Sequence, residues 1–323
     1  MTVCVAAMAE KNTLVGASDR MLTAGDVEFE PDQYKIWMFA TAIVALVAGD
    51  STLQSEILKR VDIEVKRWIN NDPKTWVSVK DVASLYCKKY RELLREHAEA
   101  DILSPLGLDI DKFLRRQGKM RPEFLASIAE KLTEYDFPSL LETIFIGTDN
   151  DGPLGEKGEK FVYPQIYATE RDKVACLTTV GFAAIGSGKS HAESQFMFSG
   201  HSPLKPFNET ILLTYAAKKR AEVAPGVGKV TDMVVIGPGL GPLLKVEDKH
   251  IERLDKIYQK SRAGATKAVV RAKAETATFV ADVRREYAER TEKEKAEKEN
   301  NEQYNKTDSA SETAPTGTGT ART

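Results

Sequence analysis

The stretch Thr2-Val3-Cys4-Val5-Ala6-Ala7-Met8-Ala9, followed by Glu10-Lys11-Asn12 and then Thr13-Leu14-Val15-Gly16-Ala17-Ser18-Asp19, decides the fold. Two β-branched and apolar runs flank a short polar segment, and this pattern predicts a β-hairpin turning near Lys11. A second strand pair follows at Lys35-Ile36-Trp37-Met38-Phe39 and Ala42-Ile43-Val44-Ala45-Leu46-Val47-Ala48. The latter is apolar on both faces, as a deeply buried strand is.

From Ser51 the period changes to that of a helix, with Leu53, Ile57, Val61 and Val65 on one stripe to about Asn70, where Asp72-Pro73 ends it. A second helix begins near Ser78, whose hydroxyl three residues before Asp81 has capping spacing, and continues to about Ala100. Residues 101–138 carry Pro105, Gly107, Gly118, Pro122 and Pro138 around short helical patterns and read as an insertion. Strands are expected at Thr143–Gly147, Gln165–Thr169 and Val174–Ile185, with Asp149-Asn150-Asp151-Gly152 as a turn signal. Helices at Lys189–Phe198 and Glu209–Val223 and a strand at Asp232–Ile236 complete the body. Blocks of strands and helices segregated in this way predict an α+β fold with two sheets covered by helix pairs. The expected division is a body over 1–245, a charged helical extension over 246–299 and a disordered Ser/Thr/Gly tail over 300–323.

The composition excludes several classes. Among 323 residues, 46 Lys and Arg nearly balance 48 Asp and Glu, so no electrostatic footprint for nucleic acid or an anionic membrane surface exists. Cys4, Cys87 and Cys176 are widely spaced and odd in number, which argues against a disulfide framework or a metal site and for a reducing, cytoplasmic setting. No apolar run reaches the roughly 18 residues of a membrane helix, and the N-terminus lacks the pattern of a secretion signal. Gly186-Ser187-Gly188-Lys189-Ser190 joins a strand to a helix but has Ala183 where a phosphate loop needs glycine, so it reads as a backbone turn at a helix start. Gly237-Pro238-Gly239-Leu240-Gly241 reads as a loop. His97, His191, His201 and His250 fall in separate polar contexts, read as surface positions, and no metal or cofactor is expected.

The chemistry is expected at the N-terminus. A threonine after Met1 becomes the first residue once the methionine is removed, and a hydroxyl then shares one residue with a free amine able to take its proton. The hairpin would bring Asp19 beside Thr2, and Lys35 supplies a cation. Taken separately, Asp19 reads equally as a turn residue and Lys35 as a charge guarding a strand edge.

Together with GASDRMLTAGD at 16–26, QYKIW at 33–37, VAGDS at 47–51, FIGTDNDG at 145–152, PQIYATE at 164–170, GFAAIGSG at 181–188 and TDMVVI at 231–236, these residues resemble the proteasome β-subunit superfamily of N-terminal nucleophile (Ntn) hydrolases. Within it the chain looks most similar to the bacterial HslV-type and Anbu proteins, over roughly residues 2–240. The resemblance implies a four-layer αββα sandwich and a threonine peptidase acting on unfolded polypeptides, with Thr2 as nucleophile, Asp19 and Lys35 beside it, and Ser187 near its amine. It further implies oxyanion donors at Ala48 and Gly49, a specificity pocket near Leu22, Trp37 and Leu46, assembly into a homo-oligomer and a separate ATPase unfoldase. Glu222 and Pro225 stand where the family commonly has an Asp and a Ser, so Glu222 is a doubtful support for the amine. That departure leaves open a catalytically silent ring- or spiral-forming subunit, and the fold also hosts amidohydrolases of small amides.

Overall fold

The computed structural model describes residues 2–24, 27–31, 35–39, 43–72, 76–149, 163–237 and 244–311. The turn expected after Asp149, most of the glycine cluster after Gly237 and the end of the tail lie outside these residues. The chain divides into two compact units, Met1–Tyr258 and Gln259–Thr323.

In the first unit, β1 (Cys4–Ala9) and β2 (Thr13–Asp19) form the expected hairpin, with Cys4 opposite Ser18. Its turn needs positive φ at both Glu10 (53°) and Lys11 (58°), although neither is a glycine. The strain is held by the 203–207 segment: the Glu10 N–H donates to Lys205 C=O at 3.0 Å, the Lys11 N–H to Pro203 C=O at 2.8 Å, and the Glu10 carboxylate accepts the Phe207 N–H at 3.0 Å.

A ribbon of β3 (Leu22–Ala24) and β4 (Val27–Phe29), unforeseen in the sequence, precedes β5 (Ile36–Met38) and β6 (Ile43–Ala48). Two helices follow, α1 (Ser51–Asn71) and α2 (Val79–Ala98). Asp50 caps α1 by accepting the Thr52 and Leu53 N–H groups, and Ser78 caps α2 by accepting the Asp81 N–H at 3.0 Å. The insertion has a small core of its own, Leu103, Phe113 and Ile128, between α3 (Ile110–Arg116), α4 (Pro122–Glu134) and the π-helical turn Glu99–Leu103.

Next come β7 (Glu142–Asp149), β8 (Tyr163–Glu170), β9 (Lys173–Cys176) and β10 (Phe182–Ile185). The single strand expected over Val174–Ile185 is therefore two, and they belong to different sheets. Gly181 makes the break, with φ of +81° and a Cβ position only 2.6 Å from Pro203 Cγ, which any side chain would strike. Its N–H closes onto Leu177 C=O at 3.0 Å, and the chain crosses over there. Helices α5 (Lys189–Phe198) and α6 (Phe207–Ala221), then β11 (Thr231–Ile236) and β12 (Leu244–Lys245), complete the order. The last helix, α7 (Asp248–Ser311), runs past the expected limit near Glu299, so the backbone of 300–311 is helical rather than a disordered tail.

The architecture is mixed α+β with two antiparallel five-stranded sheets, ordered β10-β1-β2-β11-β12 and β5-β6-β7-β8-β9, and a long C-terminal helix. Alternation along the strands produces three hydrophobic clusters. Val3, Val5, Ala7, Val15 and Ala17 pack with Ala192, Phe196, Tyr215 and Ala217 of α5 and α6. Ala45 and Phe145 pack with Ile57, Val61, Tyr86 and Tyr90 of α1 and α2. The opposite faces, Cys4, Ala6, Leu14, Val44, Leu46, Ile144 and Ile146, share a third cluster drawn from both sheets. Leu46 is among the fully buried side chains of that cluster, so Leu46→Ala should cost about 2–5 kcal/mol in chemical denaturation with an unchanged m-value. A loss under about 1 kcal/mol would contradict this placement.

Candidate functional site

The β1–β2 register decides what meets Thr2. With Cys4 opposite Ser18 and the Asp19 N–H on Val3 C=O at 3.2 Å, the Asp19 carboxyl arrives beside the first residues of the chain. Asp19 is completely buried. One oxygen, Oδ1, accepts the Thr2 hydroxyl, the Val3 N–H at 3.1 Å and the Lys35 ammonium at 2.9 Å. The other, Oδ2, accepts the Gly228 N–H at 2.8 Å and the Met21 N–H at 3.2 Å. Lys35 Nζ also donates to Thr2 Oγ1, so the hydroxyl lies between a cation that donates to it and a carboxylate that accepts from it. Such a pair, taken out of water, is tolerable only because each charge meets the other and further hydrogen bonds.

The backbone nitrogen of Thr2 donates to Ser187 Oγ at 3.2 Å. That serine sits in the Gly186-Ser187-Gly188 turn between β10 and α5, and the turn encloses Thr2. A Cβ at Gly186, where φ is +85°, would stand 2.4 Å from Thr2 C=O, and one at Gly188 would stand 2.9 Å from Val3 Cβ. The Gly188 N–H donates to Thr2 C=O at 3.2 Å, and the Gly186 N–H to Glu142 Oε2 at 2.8 Å. The glycines that imitate a phosphate loop are needed for this close approach.

Three expectations change. Glu222 does not serve the Thr2 nitrogen: its carboxylate is taken by Lys218 and Lys219, each at 2.7 Å. Lys218, fully buried and with its pKa lowered by that burial, also donates to the carbonyls of Gly228 at 2.8 Å and Lys229 at 3.0 Å. Glu222 thus acts on the turn whose Gly228 N–H reaches Asp19. Pro225, without a hydroxyl, presents its carbonyl 3.4 Å from Ser187 Oγ.

The second change concerns Leu46, which belongs to the core shared by the sheets and not to a pocket. Its neighbour Val47 points the other way, as strand alternation requires, and lines a cavity of about 100 Å³ together with Leu22, Trp37 and Leu58, with Lys35, Ser51, Gln54 and Ser55 as polar members. A larger cleft of about 510 Å³ joins this region to Thr2, Lys35, Ala48 and Gly49. Gly49 has φ of +109°, and a Cβ there would stand 2.4 Å from Leu140 C=O. The third is His201, which is half-buried between Phe182 and Phe196, with Nε2 3.2 Å from Gly181 C=O.

Sequence reasoning missed Gly228, Met21, Lys218, Gln54, Glu142 and Val47. Only Val47 left a signal, the alternation of a strand already recognised. Among the described residues no group of three or more His, Cys, Asp or Glu side chains could hold a metal ion, and no helix is long and apolar enough to cross a membrane.

Cys4 lies next to the site on β1, but burial pushes its thiol far above the ordinary range and Sγ is 3.3 Å from Val47 C=O. Cys87 is pushed up to about 11, also by burial. Cys176 is exposed; partial burial opposes its ionisation, but hydrogen bonds with Thr178 and Tyr167 and the charge of Lys80 together lower the pKa. As pH rises, Cys176 should therefore reach its thiolate first. Iodoacetamide at pH 8 should alkylate Cys176 before Cys4 or Cys87, and peptide mass spectrometry showing early modification of Cys4 would contradict the burial. No family model matches this chain, and no similar protein was found among curated ones.

Proposed function

We propose that this chain is an Ntn hydrolase of the proteasome β-subunit type, cleaving peptide bonds in unfolded polypeptides with Thr2 as its nucleophile. One observation carries the reading: the Thr2 hydroxyl is held between Lys35 and Asp19 while its own nitrogen rests on Ser187 Oγ. The three hydrophobic clusters support a four-layer αββα sandwich, in which that hydroxyl lies at one end of the space between the sheets.

The mechanism requires that the bond between Met1 and Thr2 be cut, because a peptide nitrogen cannot act as a base. The freed amine takes the hydroxyl proton, and Oγ bonds to the carbonyl carbon of the substrate, whose π electrons move onto oxygen. The backbone N–H of Gly49 stabilises that oxyanion, whereas the Ala48 N–H faces Glu142 of β7. As the tetrahedral species collapses, the scissile C–N bond breaks and the leaving nitrogen receives the proton from the Thr2 amine. Water then attacks the ester carbon and gives a proton to the amine; the C–Oγ bond breaks, a carboxylic acid departs and the hydroxyl is restored. Leu22, Trp37 and Val47 around the small cavity favour an apolar side chain before the cleaved bond. The reaction needs no metal or cofactor.

Exposed Met197, Phe198 and Val223 support assembly with further copies of the chain, and a separate ATPase would supply unfolded substrates. Three free cysteines suit a reducing, cytoplasmic setting. A second reading, a silent structural subunit, draws on Glu222, which serves Lys218 instead of the amine.

Thr2→Ala should abolish peptide hydrolysis and labelling by peptide vinyl sulfones, at least about a thousandfold, whereas Thr2→Ser retains part of both and Cys4→Ser leaves labelling intact. Lys35→Ala should lower turnover about a hundredfold or more, since the cation facing Thr2 and Asp19 is gone. The N-terminal peptide of active protein should have the mass of a chain beginning at Thr2. If protein with that verified terminus neither hydrolyses apolar peptides nor accepts the probe, the structural-subunit reading replaces this one. Sedimentation should show particles well above the 35.8 kDa of one chain, and monomers alone at micromolar concentration would remove the assembly.

A further inference from the structure

Gln54 sits in the first turn of α1, only 2% exposed, on the wall of both the cleft and the small cavity. Its amide group is fully engaged. Nε2 donates to Ala48 C=O at 2.8 Å and to Glu142 C=O at 3.1 Å, while Oε1 accepts the Tyr86 hydroxyl at 2.9 Å and lies 3.4 Å from Thr143 Oγ1. A flipped amide would set oxygen against two carbonyls, so this orientation is the one the surroundings allow.

Ala48 C=O and the Gly49 N–H belong to the same peptide unit, which is planar and trans, so the two groups point in opposite directions. Fixing the carbonyl fixes the N–H. The unit needs such fixing, because it leads from the last residue of β6 into a glycine at φ +109°, and glycine resists rotation of the adjoining peptide less than any other residue. Two further contacts tie the same point to the rest of the site. Glu142 offers its carbonyl to Gln54 and its carboxylate to the Gly186 N–H, and Gly186 belongs to the turn that encloses Thr2.

We propose that Gln54 is a positioning residue for acyl transfer: by holding Ala48 C=O it aims the Gly49 N–H at the oxygen of the acyl carbonyl attacked by Thr2. This inference rests on the peptidase reading above and adds a residue that does not touch the reacting atoms. An oxyanion donor matters only where negative charge develops on a carbonyl oxygen. Peptide hydrolysis and hemiacetal formation with a peptide aldehyde place charge there. Addition of Thr2 Oγ to a vinyl sulfone instead forms the O–C bond at the β-carbon and leaves the electron pair on the carbon next to sulfur, where a proton then joins it.

The test compares wild type with Gln54→Glu, which exchanges the donor for an acceptor, and Gln54→Met, which removes it at similar length. Expected are a fall in kcat for peptide hydrolysis of about 10²–10³-fold with KM little changed, a similar weakening of aldehyde inhibition, and vinyl sulfone labelling within a few fold of wild type. Loss of hydrolysis and labelling in equal measure, or loss of neither, overturns the inference and leaves the peptidase reading standing. A wild type with Thr2 verified as its first residue that is inert to all three reagents overturns the peptidase reading, and the inference falls with it. Should both variants fail to fold, the crystal structure of wild type with the aldehyde decides: the hemiacetal oxygen should lie about 3 Å from Gly49 N with Gln54 still on Ala48 C=O, and a rotated peptide overturns the role.

Discussion

The buried charge of Asp19 is the constraint on which the body of this protein depends. A carboxylate without access to water must find its full complement of donors inside the fold. Here they come from the start of the chain, from Met21, from Lys35 before β5 and from Gly228 before β11. These segments lie far apart in sequence and belong to the surroundings of both sheets. Each is brought in by a separate structural device: the hairpin register for Thr2 and Val3, the strand leading into the second sheet for Lys35, and the Lys218–Glu222 pair for the turn at Gly228. Correct docking of the sheets and assembly of the site are therefore the same event.

Glycine does the complementary work where backbones come too close for a side chain. Gly186 and Gly188 admit Thr2 into the turn before α5, and Gly49 lets the chain leave β6 against Leu140. Such freedom is useful for approach and harmful for precision. Two of the three glycines are paired with a polar side chain that removes the freedom: Glu142 bonds the N–H of Gly186, and Gln54 bonds the carbonyl preceding Gly49. Glu142 stands on the β7 face that carries Ile144 and Ile146, and Gln54 on the side of α1 and Tyr86, so the packing on both faces of this sheet sets the backbone around Thr2.

The surroundings of the site also set the Thr2 hydroxyl apart from the Cys4 thiol. Cys4 is two residues from Thr2 on the same strand face, and burial keeps its thiol protonated while the S–H donates to Val47 C=O. Thr2, by contrast, opens onto the cleft, and its hydroxyl meets a carboxylate that accepts from it, Asp19, and an ammonium that donates to it, Lys35. A thiol is ordinarily the more acidic of the two groups, and burial takes that advantage from Cys4.

The β-branched, apolar runs of Thr2–Met8 and Thr13–Ser18, the stripes on α1 and α2, the cap at Ser78 and the glycine turn at 186–188 were legible from residue order, because each depends on neighbours a few positions away. So was the association of Thr2 with Asp19, since a hairpin register is local. Tertiary structure alone decided the rest. It divided 174–185 between two sheets at Gly181, because Pro203 occupies the space a side chain would need. It assigned Leu46 to the core and Val47 to the pocket, which depends on which face of β6 meets the other sheet. It turned Glu222 toward Lys218, and placed Gly228, Glu142 and Gln54 around groups up to 209 residues away in the chain. Hydrogen bonds between such distant partners leave no period or spacing in a sequence, because the geometry that makes them exists only once the sheets have packed.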